Sequence, residues 1–315
     1  MKPNLGRKTE YLVHYALRSI RACMKSKPRT TLLRKKVMDK QEASAFIREL
    51  IVAGKPAMVC RFGSVEAGAV DEYLRKQLQL QQQYGAKTYT AMSNNAGFFA
   101  SEGAMEEMLD RFGREMLDAC SDIDLIGIWN SCEPYILKHY ASADIAFCPL
   151  GGLYPKSALA NQWTAALAGK KVLVIHPFET SIQSQYARKE LVFPNGFLPD
   201  FELHTIKAVQ TAAGEVDPRF ETWFDALAYM KDEMDKIDYD VAIIGCGAYG
   251  FLLAQHAKQR GKIGLHLGGG TQLIFGIMGK RWENTKNHVV NEYWVRPLEE
   301  ERPKHAQNVE GGCYW

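Results

Sequence analysis

The chain has 315 residues, 46% hydrophobic and 24% charged, with 26 Gly, 12 Pro and 7 Cys, a balance that excludes disordered, collagen-like and disulfide-scaffold classes. The net charge of +3 is uneven: residues 1–40 hold twelve Lys and Arg against the two acids Glu10 and Asp39, a net +10, so residues 41–315 carry −7. A mildly acidic body argues against nucleic acid as a partner. Seven cysteines, an odd number at wide spacing with no C-x-x-C, suit reduced thiols in a cytoplasmic protein. No apolar run reaches the roughly 20 residues of a membrane span, and the first residues lack the apolar core and cleavage site of a signal peptide.

In the basic arm, Tyr11, Leu12, Tyr15, Ala16, Ile20 and Cys23 recur at steps of three and four, the period of an amphipathic helix with a cationic flank. Two readings stand: a helix packed on the body with its basic residues in water, or an arm touching an anionic membrane surface or a lipid-linked substrate. From residue 57 onward, short runs of β-formers alternate with helical periods, which predicts an α/β, Rossmann-like fold with a mostly parallel sheet and helices on both faces. Strands are expected at Ala57–Arg61, Thr88–Met92, Leu125–Trp129, Ile145–Cys148, Val172–His176, Glu202–Lys207, Val241–Gly245 and Ile263–Leu267. Helices are expected near 65–82, 102–119, 133–140, 157–167, 180–192, 218–236, 248–260 and 271–277. The turn-rich stretch Pro194–Asp200 offers a joint between two halves, but one continuous sheet is the simpler reading. The expected organisation is a basic helical arm over 1–44, a Rossmann-like domain over 45–290 and a tail over 291–315. The closing residues NVEGGCYW are expected to dock on the body, or across a contact in a homo-oligomer.

In open α/β sheets the ligand lies beyond the carboxyl ends of the strands. After the first strand come Arg61, Phe62, Gly63, Ser64 and Glu66. An arginine at a strand end is a two-pronged donor for phosphate, and a carboxylate in the first turn of the next helix can act as a base or a metal ligand. An internal Arg–Glu ion pair bracing the turn is the competing reading. Asn94, Asn95 and Glu133 follow other strands and can hydrogen-bond hydroxyls; His176 and His266 also end strands, where a structural role is the commoner one. Gly245-Cys246-Gly247-Ala248-Tyr249-Gly250 matches G-x-G-x-x-G between strand and helix, where amides can hold a phosphate, or where glycines only permit close packing. Gly268-Gly269-Gly270-Thr271-Gln272 is a second glycine turn, either an anion cradle or a tight corner. A dinucleotide site would also want an acid about 20 positions on, and that strand ends Leu265-His266-Leu267-Gly268, which disfavours a nicotinamide oxidoreductase. A methyltransferase built on the same turn is a further alternative.

Arg61-Phe62-Gly63-x-x-Glu66, Asn95-Ala96-Gly97-Phe98, Gly245–Gly250 and GGGTQLIFGIMGKRW together resemble the GT-D type glycosyltransferases of bacterial surface-polysaccharide and glycosylation clusters, over roughly residues 45–285. The resemblance implies a Rossmann-like domain that transfers a sugar from a nucleotide-sugar donor to a hydroxyl of a glycan or lipid-linked glycan acceptor. It also implies a divalent cation, magnesium or manganese. The family's motif is commonly Arg-Phe-Gly-Asp-x-Glu; here Ser64 stands at the Asp position and leaves Glu66 as the single carboxylate, a weaker metal site. Either another acid such as Glu133 completes the site, or Glu66 works as a base without metal. Implied roles are Glu66 and Arg61 in catalysis, Glu66 as metal ligand, and Gly63, Ser64, Asn95, Gly245, Gly247, Tyr249, Gly250, Gly269, Thr271 and Gln272 in donor binding. Lys280 or Arg281 could assist the diphosphate, and Phe98, Tyr135 and Trp129 could line subsites or be plain core. Ser64 in place of Asp favours the alternative of a non-catalytic nucleotide-sugar binding or scaffolding protein. The location implied is the cytoplasm, with a peripheral membrane contact through residues 1–40.

Overall fold

The computed structural model describes residues 5–23, 29–215, 217–284 and 286–315. The chain runs α1 (Leu5–Cys23), β1 (Thr31–Leu32), β2 (Lys35–Lys36), α2 (Lys40–Ala53), β3 (Ala57–Cys60), α3 (Ser64–Gln77), α4 (Ala86–Asn94), α5 (Met105–Ala119), β4 (Leu125–Ile128), α6 (Glu133–Tyr140), β5 (Ala146–Pro149) and β6 (Lys171–His176). It continues through α7 (Glu179–Ala187), α8 (Lys189–Val192), β7 (Glu202–Lys207), α9 (Trp223–Asp235), β8 (Val241–Ile244), α10 (Tyr249–Gln259), β9 (Ile263–His266) and α11 (Thr271–Ile274). Strands β3 to β9 form one sheet in the order β5-β4-β3-β9-β8-β6-β7, every pairing parallel. The α/β fold expected from the alternation is therefore present. No break occurs at Pro194–Asp200, because β6 and β7 on either side of it pair along six residues.

Side chains alternate across the sheet with the two-residue period of a strand. Met58, Cys60, Leu173, Ile175, Ala242 and Ile244 join a core under α3, α5, α9 and α10. Ala57, Val59, Val172, Val174, Val241, Ile243 and Leu265 join a second core under α2, α7 and α11. Both faces are covered, which is why these strands read as continuous apolar runs. Connections leaving β3 run toward the β5 edge and the one leaving β6 runs toward the β7 edge, while β8 and β9 fill the centre. The strand ends at that centre are left open by the diverging crossovers.

Several expected elements are corrected. Thr88–Met92 is part of helix α4 and not a strand. Its β-formers Tyr89 and Thr90 have no sheet neighbour, because β3 pairs directly with β4 and the connection between them holds helices and loops without a strand. The α4 start is held by the Glu72 carboxylate, which accepts from the Gly85 N–H at 2.8 Å. Residues 157–167 yield only a 3-10 turn at Trp163–Leu167. Ser157 is instead tied to the 287–289 segment, its hydroxyl accepting from the Val289 N–H at 3.0 Å, and Asn161 takes a left-handed backbone that ends any helix. The helix expected over 180–192 breaks at Arg188 into α7 and α8, and the one over 271–277 stops after Ile274. Helix α2 went unread, although Asp39 and Glu42 form a reciprocal capping box, a sequence signal for its start. It also carries the chain across the expected boundary at residue 44.

Helix α1 packs on the body with its faces reversed from the expected arrangement. Tyr11 is buried, its hydroxyl donating to Asp71 Oδ1 at 2.8 Å, and Arg18 grips the same carboxylate with both nitrogens at 2.9 and 2.7 Å. Arg7 lies 5.2 Å over the Tyr140 ring and Lys8 donates to Gln79 O. Residues 11 and 18 are two turns apart and so share one face; the demand of the buried Asp71 for a cation and a donor sets that face inward. Leu12, Tyr15 and Ile20 of the expected apolar stripe are consequently exposed. Cys23 has no described side chain. Six other cysteines are free and buried.

Candidate functional site

A cavity of about 120 Å³ opens beyond the carboxyl ends of β6, β8 and β9. One wall is the segment His176-Pro177-Phe178; the floor is Gly245, Cys246, Gly247 and Tyr249; Gly269 and Gln272 close the third side. Asn95 and Ala96 at the end of α4, the loop Val209–Ala212 after β7, and Val309, Tyr314 and Trp315 of the tail complete it. Of the donor-binding residues expected, the fold brings Asn95, Gly245, Gly247, Tyr249, Gly269 and Gln272 together here. Two further segments were not read as site residues. The loop after β7 follows the same strand-end rule as the others and could have been found by it. Val309 carries no local signal, since it arrives by a return of the tail over the sheet.

The glycine turn divides by position. A Cβ on Gly245 would lie 2.5 Å from the His176 ring and 2.7 Å from Thr271, and one on Gly250 would lie 2.1 Å from His266 Nδ1. These two glycines permit close packing. Gly247 differs: it is exposed, its φ of +59° is left-handed, and nothing lies within 4 Å of the place a Cβ would take. Its backbone therefore faces the open side of the cavity. Gly269 gives way to the tail, its Cβ position being 2.2 Å from the Tyr314 ring. Thr271 is fully buried and donates to Ile244 O, so its hydroxyl serves the corner and not a ligand.

The buried side of the cavity offers polar atoms without partners. Gln272 is fully buried; its Nε2 donates to Ile277 O and Tyr314 O, each at 3.2 Å, while its Oε1 has no partner. The Trp315 Nε1 is also unpartnered. An unpaired buried acceptor and an unpaired indole N–H on one lining favour a ligand that supplies both a donor and an acceptor. The Tyr249 ring stacks on Trp223 at 4.5 Å, fixing that wall. Burial pushes His176 down to about 3, and its Nδ1 accepts the Phe178 N–H at 3.0 Å, so this imidazole is a neutral structural group. Burial likewise lowers His266 to about 3, with the Arg61 charge as the second cause. Both histidines thus follow the structural alternative.

No lining side chain of the cavity carries a formal charge. Arg61 lies beside the second glycine turn, its Cζ 3.6 Å from the place a Cβ on Gly268 would take, and it stacks over Trp129 at 5.4 Å. Its Nε is buried without a partner. Arg281 reaches the same aromatic wall, donating to the Tyr314 hydroxyl at 3.1 Å, but it is also paired with Glu310. Lys280 is exposed.

Glu66 is not among the cavity lining. Its carboxylate folds back over Gly63, where a Cβ would lie 1.8 Å from Oε2. A Cβ at 63 would displace the carboxylate from this place at the third position of α3. Ser64 opens onto a separate groove between α1 and the Asn130–Cys132 turn. Glu133 is fully buried and spent on structure, accepting from Trp129 N, Asn130 N and Asn130 Nδ2 at 2.8, 2.9 and 2.7 Å; burial pushes it up to about 7. Phe98 and Tyr135 are core residues, the first packed on Phe112 and Trp223, the second under Tyr11. Among the described residues no group of three or more His, Cys, Asp or Glu side chains could hold a metal. The donor set therefore does not fit the divalent cation that the resemblance implies, and Glu133 is already engaged by Trp129 and Asn130.

Compared with protein-family models, curated proteins and solved structures, the chain matches none. Among the described residues no helix is long and apolar enough to cross a membrane.

Proposed function

We propose that this protein is a cytoplasmic glycosyltransferase that moves a sugar from a nucleotide-diphosphate sugar to a hydroxyl of a glycan or lipid-linked glycan in bacterial surface-polysaccharide synthesis. The observation that carries this reading is the cavity at the open centre of a parallel sheet, with the exposed Gly247 backbone on one side and Arg61 beside the second glycine turn. In this reading the Gly247 turn and Arg61 neutralise the diphosphate, and the Tyr249, Tyr314 and Trp315 wall takes the flat nucleobase. In this reading Glu66, whose carboxylate lies outside the cavity lining, takes the proton of an acceptor hydroxyl that enters from the Gly63 side. The acceptor oxygen then bonds to the sugar C1 as the bond from C1 to the phosphate oxygen breaks, its electron pair leaving with the nucleoside diphosphate. No step is assigned to a metal.

A second reading, non-catalytic nucleotide-sugar binding, is favoured by one observation: no carboxylate side chain lines the cavity. Thermal-shift measurements against nucleotide sugars, NAD and S-adenosylmethionine, followed by a donor-turnover assay, separate these readings. Under the enzymatic one, nucleotide sugars stabilise the protein and nucleoside diphosphate is released. Glu66→Gln then abolishes release while retaining donor binding, and Arg61→Ala weakens binding. Stabilisation by NAD or S-adenosylmethionine alone overturns both readings; binding without release, or full turnover in Glu66→Gln, overturns the catalytic assignment.

A further inference from the structure

Helix α1 presents an outer face that nothing in the described structure covers. Leu5, Leu12, Val13, Leu17 and Ile20 are 77, 48, 55, 53 and 57% exposed. At 100° per residue these five, with Ala16, fall within one side of the helix, opposite the face that holds Tyr11 and Arg18. A helix docked by its polar side with its leucines in water inverts the usual arrangement of a surface helix, and a contiguous exposed apolar face of this kind marks an interaction surface.

The charge of the segment indicates the occupant. The cations that serve the body are Arg7, Lys8 and Arg18, each turned inward as described. In sequence, Lys2 precedes the helix, Arg21 lies in its last turn and Lys25 and Lys27 follow it, within an arm of net +10 on a body of −7. An apolar stripe bordered in sequence by lysine and arginine, on a helix too polar overall to insert, suits the interface plane of an anionic bilayer.

We propose that α1 is a membrane-surface anchor: its Leu5, Leu12, Val13, Leu17 and Ile20 face enters the headgroup–acyl boundary of an anionic bilayer while Arg18 and Tyr11 hold the helix to Asp71. The anchor is independent of the cavity and of the glycosyl-transfer reading. If both hold, the anchor keeps the enzyme where a lipid-linked acceptor resides.

The test is cosedimentation of the full chain with phosphatidylcholine vesicles, with and without phosphatidylglycerol, alongside the solution mass of the protein alone. The expected result is binding to the phosphatidylglycerol vesicles only, weakened by salt. In Leu12→Ser/Leu17→Ser the partition coefficient should fall about tenfold or more, with circular dichroism and melting temperature unchanged because both side chains are already in water. No binding to anionic vesicles, or equal binding by the double variant, overturns the proposal. A dimer in solution that Leu12→Ser/Leu17→Ser dissociates, with no vesicle binding, overturns it in favour of a second copy of the chain. Nucleotide-sugar binding is measured in parallel and should not change in the variant, so failure of the anchor and failure of the site are read separately.

Discussion

Arg18→Ala tests how α1 is held. The guanidinium makes a two-pronged contact with Asp71 at 2.9 and 2.7 Å, with the two side chains 14 and 7% exposed. Removing one partner of a buried pair costs ~3–5 kcal/mol, because the other charge is left uncompensated. Here Tyr11 still donates to Asp71 and Arg75 Nε stays 3.6 Å away, so the lower end, ~3 kcal/mol, applies. The loss falls on the docking of α1 more than on the sheet, and ~3 kcal/mol corresponds to about a hundredfold in the undocking equilibrium. Native-state hydrogen exchange read by mass spectrometry should show α1 amides exchanging about a hundredfold faster while β3, β6 and β8 amides are unaffected. Adding Asp71→Asn removes the stranded charge, so the double variant should cost less than the two single changes added together. Exchange in α1 within about twofold of wild type in Arg18→Ala would refute the docking account and the orientation of the apolar face that follows from it.

Gly247→Ala should cost ~1 kcal/mol of stability from its left-handed backbone, measured by urea unfolding, and should weaken nucleoside-diphosphate binding by calorimetry; unchanged binding would remove the glycine turn from the site. Trp315→Ala removes one stacking wall and should weaken the same ligand by about tenfold or more, with little effect on melting. For pH, His176 and His266 have folded values of about 3 against an ordinary 6.5, so the stability they contribute is complete above 6.5 and declines as pH falls toward 3. Glu133 acts in the opposite sense: held near 7 against an ordinary 4.5, it contributes at low pH, and that contribution is lost as pH rises through 7. His288, held at about 4 by burial, adds to the loss, so Glu133 offsets only part of the histidine contribution between pH 7 and 5, and urea midpoints should fall from pH 7 to 5. A constant or rising midpoint would show that the imidazoles are not buried neutral.

The amino-acid sequence by itself determined the α/β class, seven of the sheet strands and the strand ends at which a ligand would sit. It could do so because a strand buried on both faces must be apolar throughout, and the glycines and polar residues that follow it cannot continue the run. VLVI before His176 and VAII before Gly245 are legible on those grounds. The element at 86–94 was not: Tyr89 and Thr90 favour a strand locally, and only the absence of a sheet edge beside β3 makes them helical. Tertiary structure alone decided which motif residues share a cavity. It placed Asn95, Gly247 and Gln272 together with Trp315, and it left Glu66 off that lining, because crossover direction and tail path depend on contacts far apart in the chain. The same holds for α1, whose helical period is written in the sequence. Which side faces inward was settled by one buried carboxylate, Asp71, lying 53 residues beyond its partner Arg18.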